Sequence, residues 1–239
     1  MYYISCIVPA KNESGRLFQL LDDIISVPEI KQILIIEGGS SDDTFEKATE
    51  IQEKYPNLVF AIKQSGTGKF NAVIEAAKIC QQANILIWDA DGTVPLYSTR
   101  KLIEFASKHD TSVIGNRLAG KIEKGAMRKA NFLANWAFAL IWSPYHGIFG
   151  ADMLCGTKLF KKEVFLDIPL NWLPLDPYGD FVLVANSVRL GHKLSSIPVD
   201  YNARSYGETN IKRWSGGWQL LKLTILLYLK SKESSKKLI

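Results

Sequence analysis

The sequence predicts an α/β fold in which helices flank a mostly parallel central sheet. In the first half, short apolar runs alternate with amphipathic stretches, and this alternation implies parallel strands joined by helices on both faces of the sheet. The run Ile85–Trp88 is apolar throughout, as expected of a strand buried on both faces. A length of 239 residues, of which 47% are hydrophobic, suits one large globular domain.

The first half is predicted to contain four strands, each followed by a helix. The strands are short apolar runs: Tyr2–Val8, Gln32–Ile36, Leu58–Ile62 and Ile85–Trp88. The helices are amphipathic stretches: Glu13–Ile25, Thr44–Lys54, Phe70–Gln82 and Pro95–Lys108. Asp42 and Asp43 supply capping groups before the second helix, and Pro95 suits a first helical turn.

The second half is predicted to add three strands and three helices. The strands are Thr111–Gly115, Ala151–Phe160 and Lys193–Tyr201, and the helices are Gly125–Trp142, Phe181–Leu190 and Trp218–Lys230. Gly191 ends the second of these helices, and the polar stretch Tyr201–Gly217 predicts a loop. Since no linker separates these elements, we assign residues 1–217 to one domain and residues 218–239 to an amphipathic helix with a basic tail.

Basic residues are concentrated at the C-terminal end. From Arg204 to Ile239 there are eight Lys or Arg and two Asp or Glu, whereas the rest of the chain holds 21 basic and 22 acidic side chains. Such a segment can face an anionic membrane or a phosphorylated substrate, and a solvated helix is the alternative. The longest apolar tracts, Phe132–Trp142 and Leu223–Leu229, are shorter than the roughly 20 residues that a membrane-spanning helix needs.

The cysteines indicate the compartment. Cys6, Cys80 and Cys155 are far apart and odd in number, which argues against a disulfide framework or a zinc site and for a reducing environment. No signal peptide pattern precedes the first strand. The sequence therefore predicts a cytoplasmic protein.

Two carboxylates follow the most apolar strand. Asp89 and Asp91 come directly after Ile85–Trp88, and residues i and i+2 of an extended chain point to the same side. Because ligands of open α/β sheets bind at the carboxyl ends of strands, this pair can share a divalent cation, and oxygen ligands favour Mg²⁺ or Mn²⁺ over zinc. The alternative is a strand end capped by turn-forming Asp residues.

Two glycine-containing turns are candidate nucleotide sites. Residues 37–44, which begin with Glu37, link a strand to a helix, and their glycines allow close backbone approach to a ligand. Residues 65–69 end in Gly68 and Lys69, but the spacing of an NTPase phosphate loop is absent. Each turn could also serve only to start its helix. Asp180, which precedes a predicted helix, is a candidate functional carboxylate or an ordinary helix cap.

Several motifs in fixed order resemble those of family 2 glycosyltransferases with the glycosyltransferase A fold. They span nearly the whole chain and comprise residues 7–13 (IVPAKNE), 37–44 (EGGSSDDT), 68–69 with Ala72, 89–91 (DAD), 115–117 (GNR), 154–158 (LCGTK), 179–180 (GD) and 204–210 (RSYGETN). Within that family the chain is most similar to the dolichol-phosphate mannosyltransferase-like branch. The resemblance implies that residues 1–217 form the catalytic domain.

The resemblance also implies roles for individual residues. Donor binding is expected from Pro9, Ala10, Asn12, Glu13, Glu37, Gly39, Ser40, Gly68, Lys69, Asp89 and Ala90. Asp89 and Asp91 are expected to bind Mg²⁺ or Mn²⁺, and the catalytic residues are expected to be Asp91, Asp180 and Arg204. Acceptor binding is expected from Arg117, Arg128, Lys212 and Arg213.

The chain departs from the family pattern at three positions. Glu37-Gly38 stands where two acidic residues are usual, which leaves the preferred base open, and Thr93 stands where some relatives have a Gln ligand. Gly179 replaces a usual Glu before Asp180, so one carboxylate remains as a possible general base. A polyprenyl phosphate would not need a base, because its oxygen is ionised near neutral pH.

The resulting prediction is an inverting, metal-dependent glycosyltransferase that moves a sugar from a nucleotide-diphosphate sugar to a polyprenyl phosphate. The alternatives are transfer to a sugar hydroxyl in cell-surface polysaccharide biosynthesis and a non-catalytic binding module. Ala134–Trp142 and Trp218–Lys230 have the composition of interfacial helices, although core packing is the alternative. We therefore expect peripheral contact with the cytoplasmic face of the membrane and no nucleic acid partner.

Overall fold

The computed structural model describes residues 2–176, 178–204 and 218–227. Its first half consists of β1 (Ile4–Ala10), α1 (Leu17–Ile25), β2 (Ile30–Glu37), α2 (Thr44–Lys54), β3 (Val59–Lys63), α3 (Lys69–Ile79), β4 (Asn84–Ile87) and α4 (Leu96–His109). Every element predicted for this half is present, with boundaries shifted by four residues or fewer.

The second half contains more elements than the sequence pattern predicts. They are β5 (Ser112–Asn116), α5 (Lys129–His146), β6 (Lys158–Lys161), α6 (Glu163–Leu166), α7 (Asp180–Arg189) and β7 (Leu194–Pro198). The short helix α6 and two 3₁₀ turns, Arg117–Ala119 and Leu173–Leu175, were not predicted. Residues 218–227 are helical, within the predicted Trp218–Lys230.

The strands of the described residues form one mixed sheet in the order β3-β2-β1-β4-β6-β5-β7. Strand β6 runs antiparallel to its neighbours β4 and β5, and the other pairs are parallel. The predicted α/β fold with a mostly parallel sheet is therefore confirmed. The strand order changes direction beside β1, where β4 lies on one side and β2 on the other, and ligands of open α/β sheets bind at such a point.

Two apolar layers enclose the sheet. On one face, α1, α2 and α4 pack through side chains that include Leu17 and Leu102. On the other face, α3, α5 and α7 pack through side chains that include Ala76 and Trp142, and the helix of residues 218–227 adds Leu223. Both layers leave the carboxyl ends of β1 and β4 uncovered, which positions the cavity described below.

One predicted strand is wrong in extent. The pattern predicted a strand over Ala151–Phe160, but only Lys158–Lys161 pairs in the sheet. Residues 151–157 form turns instead, in which the Asp152 carbonyl accepts a hydrogen bond from the Cys155 amide over 3.2 Å. Ala151, Met153 and Cys155 are buried in the interior, so the apolar pattern of this segment reflects burial and not strand pairing.

The predicted helix Gly125–Trp142 is displaced along the chain. Gly125 has a φ of 89°, outside the helical region, and α5 begins at Lys129. The helix continues through Pro144 and ends at His146, and the following Gly147 has a φ of 75°, the left-handed conformation common after a helix.

The helix of residues 218–227 packs on α5. The Trp142 indole N–H donates a hydrogen bond to Thr224 Oγ1 over 3.2 Å. The division between residues 1–217 and 218–239 stays a prediction, because residues 205–217 lie outside the described ranges. Among the helices that the structure describes, none combines the length and the apolar character needed to span a bilayer.

Candidate active site

A cavity of about 540 Å³ opens at the carboxyl ends of β1 and β4. The end of β1, the turn after β2, the start of α3, the residues after β4 and the turn before β6 all contribute to its wall. The predicted site residues that line it are Pro9, Ala10, Glu13, Gly68, Lys69, Asp89, Ala90, Asp91, Arg117, Asp180 and Arg204. Residues far apart in sequence therefore meet at one edge of the sheet.

Asp89 forms an ion pair with Lys69, the first residue of α3. The Lys69 ammonium group, at the start of α3, lies 2.5 Å from Asp89 Oδ1. Burial favours the neutral acid, but the attraction of Lys69 outweighs it and holds the pKa of Asp89 below its ordinary value. Burial also opposes the charge on Lys69, and Asp89 again outweighs it, so the pKa of Lys69 is raised. Both groups are charged near neutral pH.

Asp91 is held on both of its oxygens. The Thr93 amide and hydroxyl donate to Asp91 Oδ1 over 3.0 and 2.9 Å. The Arg204 guanidinium lies 2.5 Å from Asp91 Oδ2 and 3.6 Å from Glu13 Oε1. Burial raises the pKa of Glu13 to about 7, although Arg204 opposes this rise. Thr93 thus orients Asp91, and Arg204 connects Glu13, which follows β1, with Asp91, which follows β4.

The carboxylates of Asp89 and Asp91 are chemically suited to bind a divalent cation. Both present oxygen donors to the same cavity, and oxygen donors suit Mg²⁺ and Mn²⁺. Within the described residues, no cluster of three or more His, Cys, Asp or Glu side chains is placed to hold a metal. A site with only the two carboxylates of Asp89 and Asp91 suits Mg²⁺, which is usually bound by one or two carboxylates together with substrate phosphates and water.

The turn after β2 is organised mainly by its own hydrogen bonds. Buried Glu37 accepts a hydrogen bond from the Ser40 amide through Oε1. The Asn12 amide donates to Ser40 Oγ over 3.0 Å, which ties the turn to the end of β1. Gly38 lines the cavity, whereas Glu37, Gly39, Ser40 and Asn12 do not. These four residues, which were predicted to bind the sugar donor, lie behind the residues that line the cavity.

The glycine-rich turn before α3 is only partly directed at the cavity. Glu75 accepts hydrogen bonds from the Ser65 and Gly66 amides over 2.9 and 3.0 Å. These amides are thus bound by a carboxylate of the same chain, and only Gly68 and Lys69 of the turn line the cavity. The turn therefore presents one ammonium group and not a cradle of backbone amides.

The predicted acceptor residues are placed differently from one another. Arg117 lines the cavity and binds Asp152 through Nε and Nη2 at 2.6 and 3.1 Å, with its guanidinium 5.0 Å from the centre of the Tyr201 ring. Arg128 is exposed and is not among the cavity-lining residues. Lys212 and Arg213 lie outside the described residues.

Asp180 lines the cavity and does not cap its helix. Asp176 does so instead, because its carboxylate accepts hydrogen bonds from the Phe181 and Val182 amides over 2.9 and 3.2 Å. Asp180 Oδ1 is bound by the ammonium group of Lys158, which is fully buried. Gly179 has a φ of 80°, and a Cβ atom there would lie 2.1 Å from the Phe70 ring, so the local backbone favours glycine at this position.

Three charged residues of the site were missed in the sequence: Asp152, Lys158 and Asp176. Lys158 was part of the 154–158 motif, but it lay inside a predicted strand, where a lone lysine indicates an exposed face. Asp176 precedes a helix by four residues in a segment rich in proline. No local signal in the sequence pairs either residue with its partner.

The fold is that of the A-type glycosyltransferases. Solved structures of glucosyl-3-phosphoglycerate synthase from Mycobacterium tuberculosis match it, one in complex with phosphoglyceric acid at a TM-score of 0.69 and 16% identity, covering 95% of this chain and 80% of that one. A second, in complex with Mg²⁺ and uridine diphosphate, matches at a TM-score of 0.68 and 15% identity, covering 95% and 79%.

The chain belongs to glycosyl transferase family 2, whose model matches residues 5–166. It is 31% identical over 211 residues to Glycosyltransferase AglJ of Haloferax volcanii, covering 87% of this chain and 66% of that protein. It is 30% identical over 229 residues to the dolichyl-phosphate beta-glucosyltransferase of Saccharomyces cerevisiae, covering 84% and 67%. It is 27% identical over 225 residues to the dolichol-phosphate mannosyltransferase of Pyrococcus furiosus, covering 87% and 59%.

These matches confirm the predicted family and its dolichol-phosphate sugar transferase-like branch. The chain spans about two thirds or less of the length of these relatives. The family match ends at residue 166, so it includes Asp89 and Asp91 but not Asp180 or Arg204.

Proposed function

We propose that the protein is an inverting, metal-dependent glycosyltransferase that moves a sugar from a nucleotide-diphosphate sugar to a polyprenyl phosphate. The observation that carries this proposal is the arrangement of Asp89 and Asp91 in one cavity with the cationic groups of Lys69 and Arg204. Carboxylates suit a divalent cation, and the lysine and arginine suit phosphate oxygens.

The relatives and the solved structures support both proposed substrates, the polyprenyl phosphate and the nucleotide sugar. Two of them are named as transferases that act on dolichyl or dolichol phosphate, and the solved structures of similar fold include one with Mg²⁺ and uridine diphosphate. The cavity of this chain has the charges that such substrates require, because phosphate groups enter on both the donor side and the acceptor side.

The proposed reaction is a single displacement at the anomeric carbon. A phosphate oxygen of the acceptor forms the new bond to this carbon while the bond to the nucleoside diphosphate breaks, and attack from the opposite side inverts the configuration. Asp89 and Asp91 would hold Mg²⁺ or Mn²⁺, which offsets the negative charge of the leaving diphosphate. Lys69 and Arg204 supply further positive charge at the same edge of the cavity, and Arg117 adds a cation to its wall.

Peripheral contact with the cytoplasmic face of a membrane is part of the proposal. We define the apolar face as the exposed side chains Leu133, Leu140 and Ile141 of α5 together with Trp218, Ile225 and Leu226 of the adjoining helix. Exposed Arg128 and Lys129 lie at the start of α5, and Lys222 lies beside Trp218. An apolar face flanked by cations is the composition that binds the surface of an anionic membrane.

The test begins with nucleotide binding. Thermal unfolding is measured with UDP- and GDP-sugars, each with and without Mn²⁺, and the donor that stabilises the protein is then used in transfer assays with a short-chain polyprenyl phosphate. We expect the double variant Asp89→Asn, Asp91→Asn to lose the Mn²⁺-dependent stabilisation and the transfer. The control removes two exposed carboxylates elsewhere, by Asp22→Asn and Glu53→Gln, and should keep both. Metal-dependent transfer by the Asp89, Asp91 variant would refute the proposal.

A further inference from the structure

Lys158 is a fully buried lysine at the edge of the cavity. It is the first residue of β6, in register with Ile87 at the end of β4 and with Ile114 of β5. A lysine is rarely buried to this extent unless it is paired, because removing an ammonium group from water is unfavourable. Buried ion pairs contribute little to stability compared with apolar side chains of similar size, so stability alone does not account for the charge at this position.

Two groups bind the Lys158 ammonium. It forms an ion pair with Asp180 Oδ1 and donates a hydrogen bond to the carbonyl oxygen of Cys155. The Asp180 side chain is 13% exposed and lines the cavity. Lys158 is therefore the buried partner in a pair whose other member faces the substrate.

The Cys155 carbonyl connects Lys158 to the donor side of the cavity. The residue after Cys155, Gly156, lies so close to Asp89 that a Cβ atom would be 1.8 Å from Asp89 Oδ2. The charge of Lys158 also helps to keep the pKa of Asp89 low. One ammonium group thus positions a carboxylate on each side of the cavity.

We propose that Lys158 is a positioning residue that prevents Asp180 from acting as a general base, so that the enzyme is restricted to acceptors that arrive ionised. The inference rests on the proposed function and extends it to the choice of acceptor. A general base takes up a proton during the reaction. A proton on Asp180 would leave the buried Lys158 ammonium without its counter-charge, which is strongly unfavourable. A phosphate acceptor avoids this problem, because its second pKa of about 6 leaves it ionised at neutral pH.

The experiment is a double-mutant cycle of Lys158→Met, Asp180→Asn and the double variant. The kcat for transfer to a short-chain polyprenyl phosphate is measured with Mn²⁺ and the donor sugar found by thermal unfolding. Each single variant leaves one charge buried without its partner, and we expect each to lose about tenfold or more in kcat. The double variant removes both charges and should recover most of that loss. Thermal unfolding and Mn²⁺-dependent nucleotide binding of each variant show whether it is folded.

The choice of acceptor separates positioning from a merely structural role. In Lys158→Met, the Asp180 carboxylate is no longer bound by the Lys158 ammonium group and can act as a general base. We therefore expect this variant to gain transfer to a sugar hydroxyl that is absent from the wild type and from the double variant.

Three results would overturn the inference. If Asp180→Asn and the double variant lose activity equally and by orders of magnitude, Asp180 is a general base, and only this inference fails while transfer to phosphate stands. If Lys158→Met keeps the kcat and the acceptor choice of the wild type, this inference also fails and transfer to phosphate stands. If the wild type transfers to a sugar hydroxyl and not to the lipid phosphate, the proposed function fails as well.

Discussion

Gly156 lies so close to the Asp89 carboxylate that no larger residue fits at position 156. A Cβ there would lie 1.8 Å from Asp89 Oδ2 and 3.0 Å from Asp89 Oδ1. We predict that Gly156→Ala turns Asp89 away from the cavity and weakens Mn²⁺-dependent nucleotide binding by about 10- to 100-fold, the usual effect of losing the support of a metal ligand. Isothermal titration calorimetry with the nucleoside diphosphate and Mn²⁺ measures this change in affinity.

Gly191→Ala is the control for a general effect of adding a methyl group. Gly191 has a φ of 75° and open space around its Cβ position, so alanine there strains the backbone without touching the cavity. The control should lower the unfolding temperature and leave nucleotide affinity unchanged. Wild-type affinity in Gly156→Ala would mean that Asp89 does not need its present position.

Some of the site could be predicted from single residues and their neighbours in sequence. Asp89 and Asp91 follow an apolar strand, and Lys69 follows a glycine at a helix start, so the local pattern already directs them to the carboxyl edge of the sheet. The pairing of Lys158 with Asp180, 22 residues away, leaves no such pattern. It depends on the antiparallel placement of β6, which brings the start of that strand to the edge where the parallel strands end.

At the scale of elements, α7 depends on a cap outside the helix. The Asp176 carboxylate accepts hydrogen bonds from three backbone amides, those of Tyr178, Phe181 and Val182. We predict that Asp176→Ala lowers the free energy of unfolding by about 1–2 kcal/mol, as loss of a helix cap does. Urea denaturation followed by circular dichroism measures the difference.

Asp176→Asn distinguishes the cap from the charge. Burial and the nearby Asp180 raise the pKa of Asp176, so its negative charge is unfavourable in the fold. Asparagine keeps one accepting oxygen for the Phe181 and Val182 amides, gives up the hydrogen bond from the Tyr178 amide and removes that charge. We therefore expect it to lose less than half of what alanine loses. Equal losses in the two variants would contradict the assignment of Asp176 as the cap.

Elements were predictable where burial and local periodicity agree. The apolar runs of β1, β2 and β4 are both buried and paired, so their positions follow from sequence. Ala151, Met153 and Cys155 are buried although they lie in none of the strands, and apolar pattern alone does not distinguish the two cases. The helix cap at Asp176 could not be predicted because it lies four residues before α7.

At the scale of the whole molecule, the two helices that carry the apolar face also bury side chains in the core. The helix α5 buries Phe138 and Trp142 in the core and exposes Leu140 and Ile141 on its outer side. Sequence reasoning left core packing and membrane contact as alternatives for this stretch. The structure shows core packing on one side of the helix and exposed apolar side chains on the opposite side.

We predict that the wild-type protein floats with liposomes that contain anionic lipid and that the double variant Ile141→Gln, Ile225→Gln binds them about tenfold or more weakly. Each substitution removes an exposed apolar side chain from the apolar face, 41% and 55% exposed respectively, and burial of such a side chain in a membrane is worth on the order of 1 kcal/mol or more. The matched control is Phe18→Gln with Ile79→Gln, which removes side chains of similar exposure, 43% and 49%, from α1 and α3. The control should bind the liposomes as tightly as the wild type does.

Liposome binding of both the wild type and the control should fall as the salt concentration is raised, because the cations beside the apolar face attract anionic lipid. Equal flotation of the two double variants would show that another surface makes the contact.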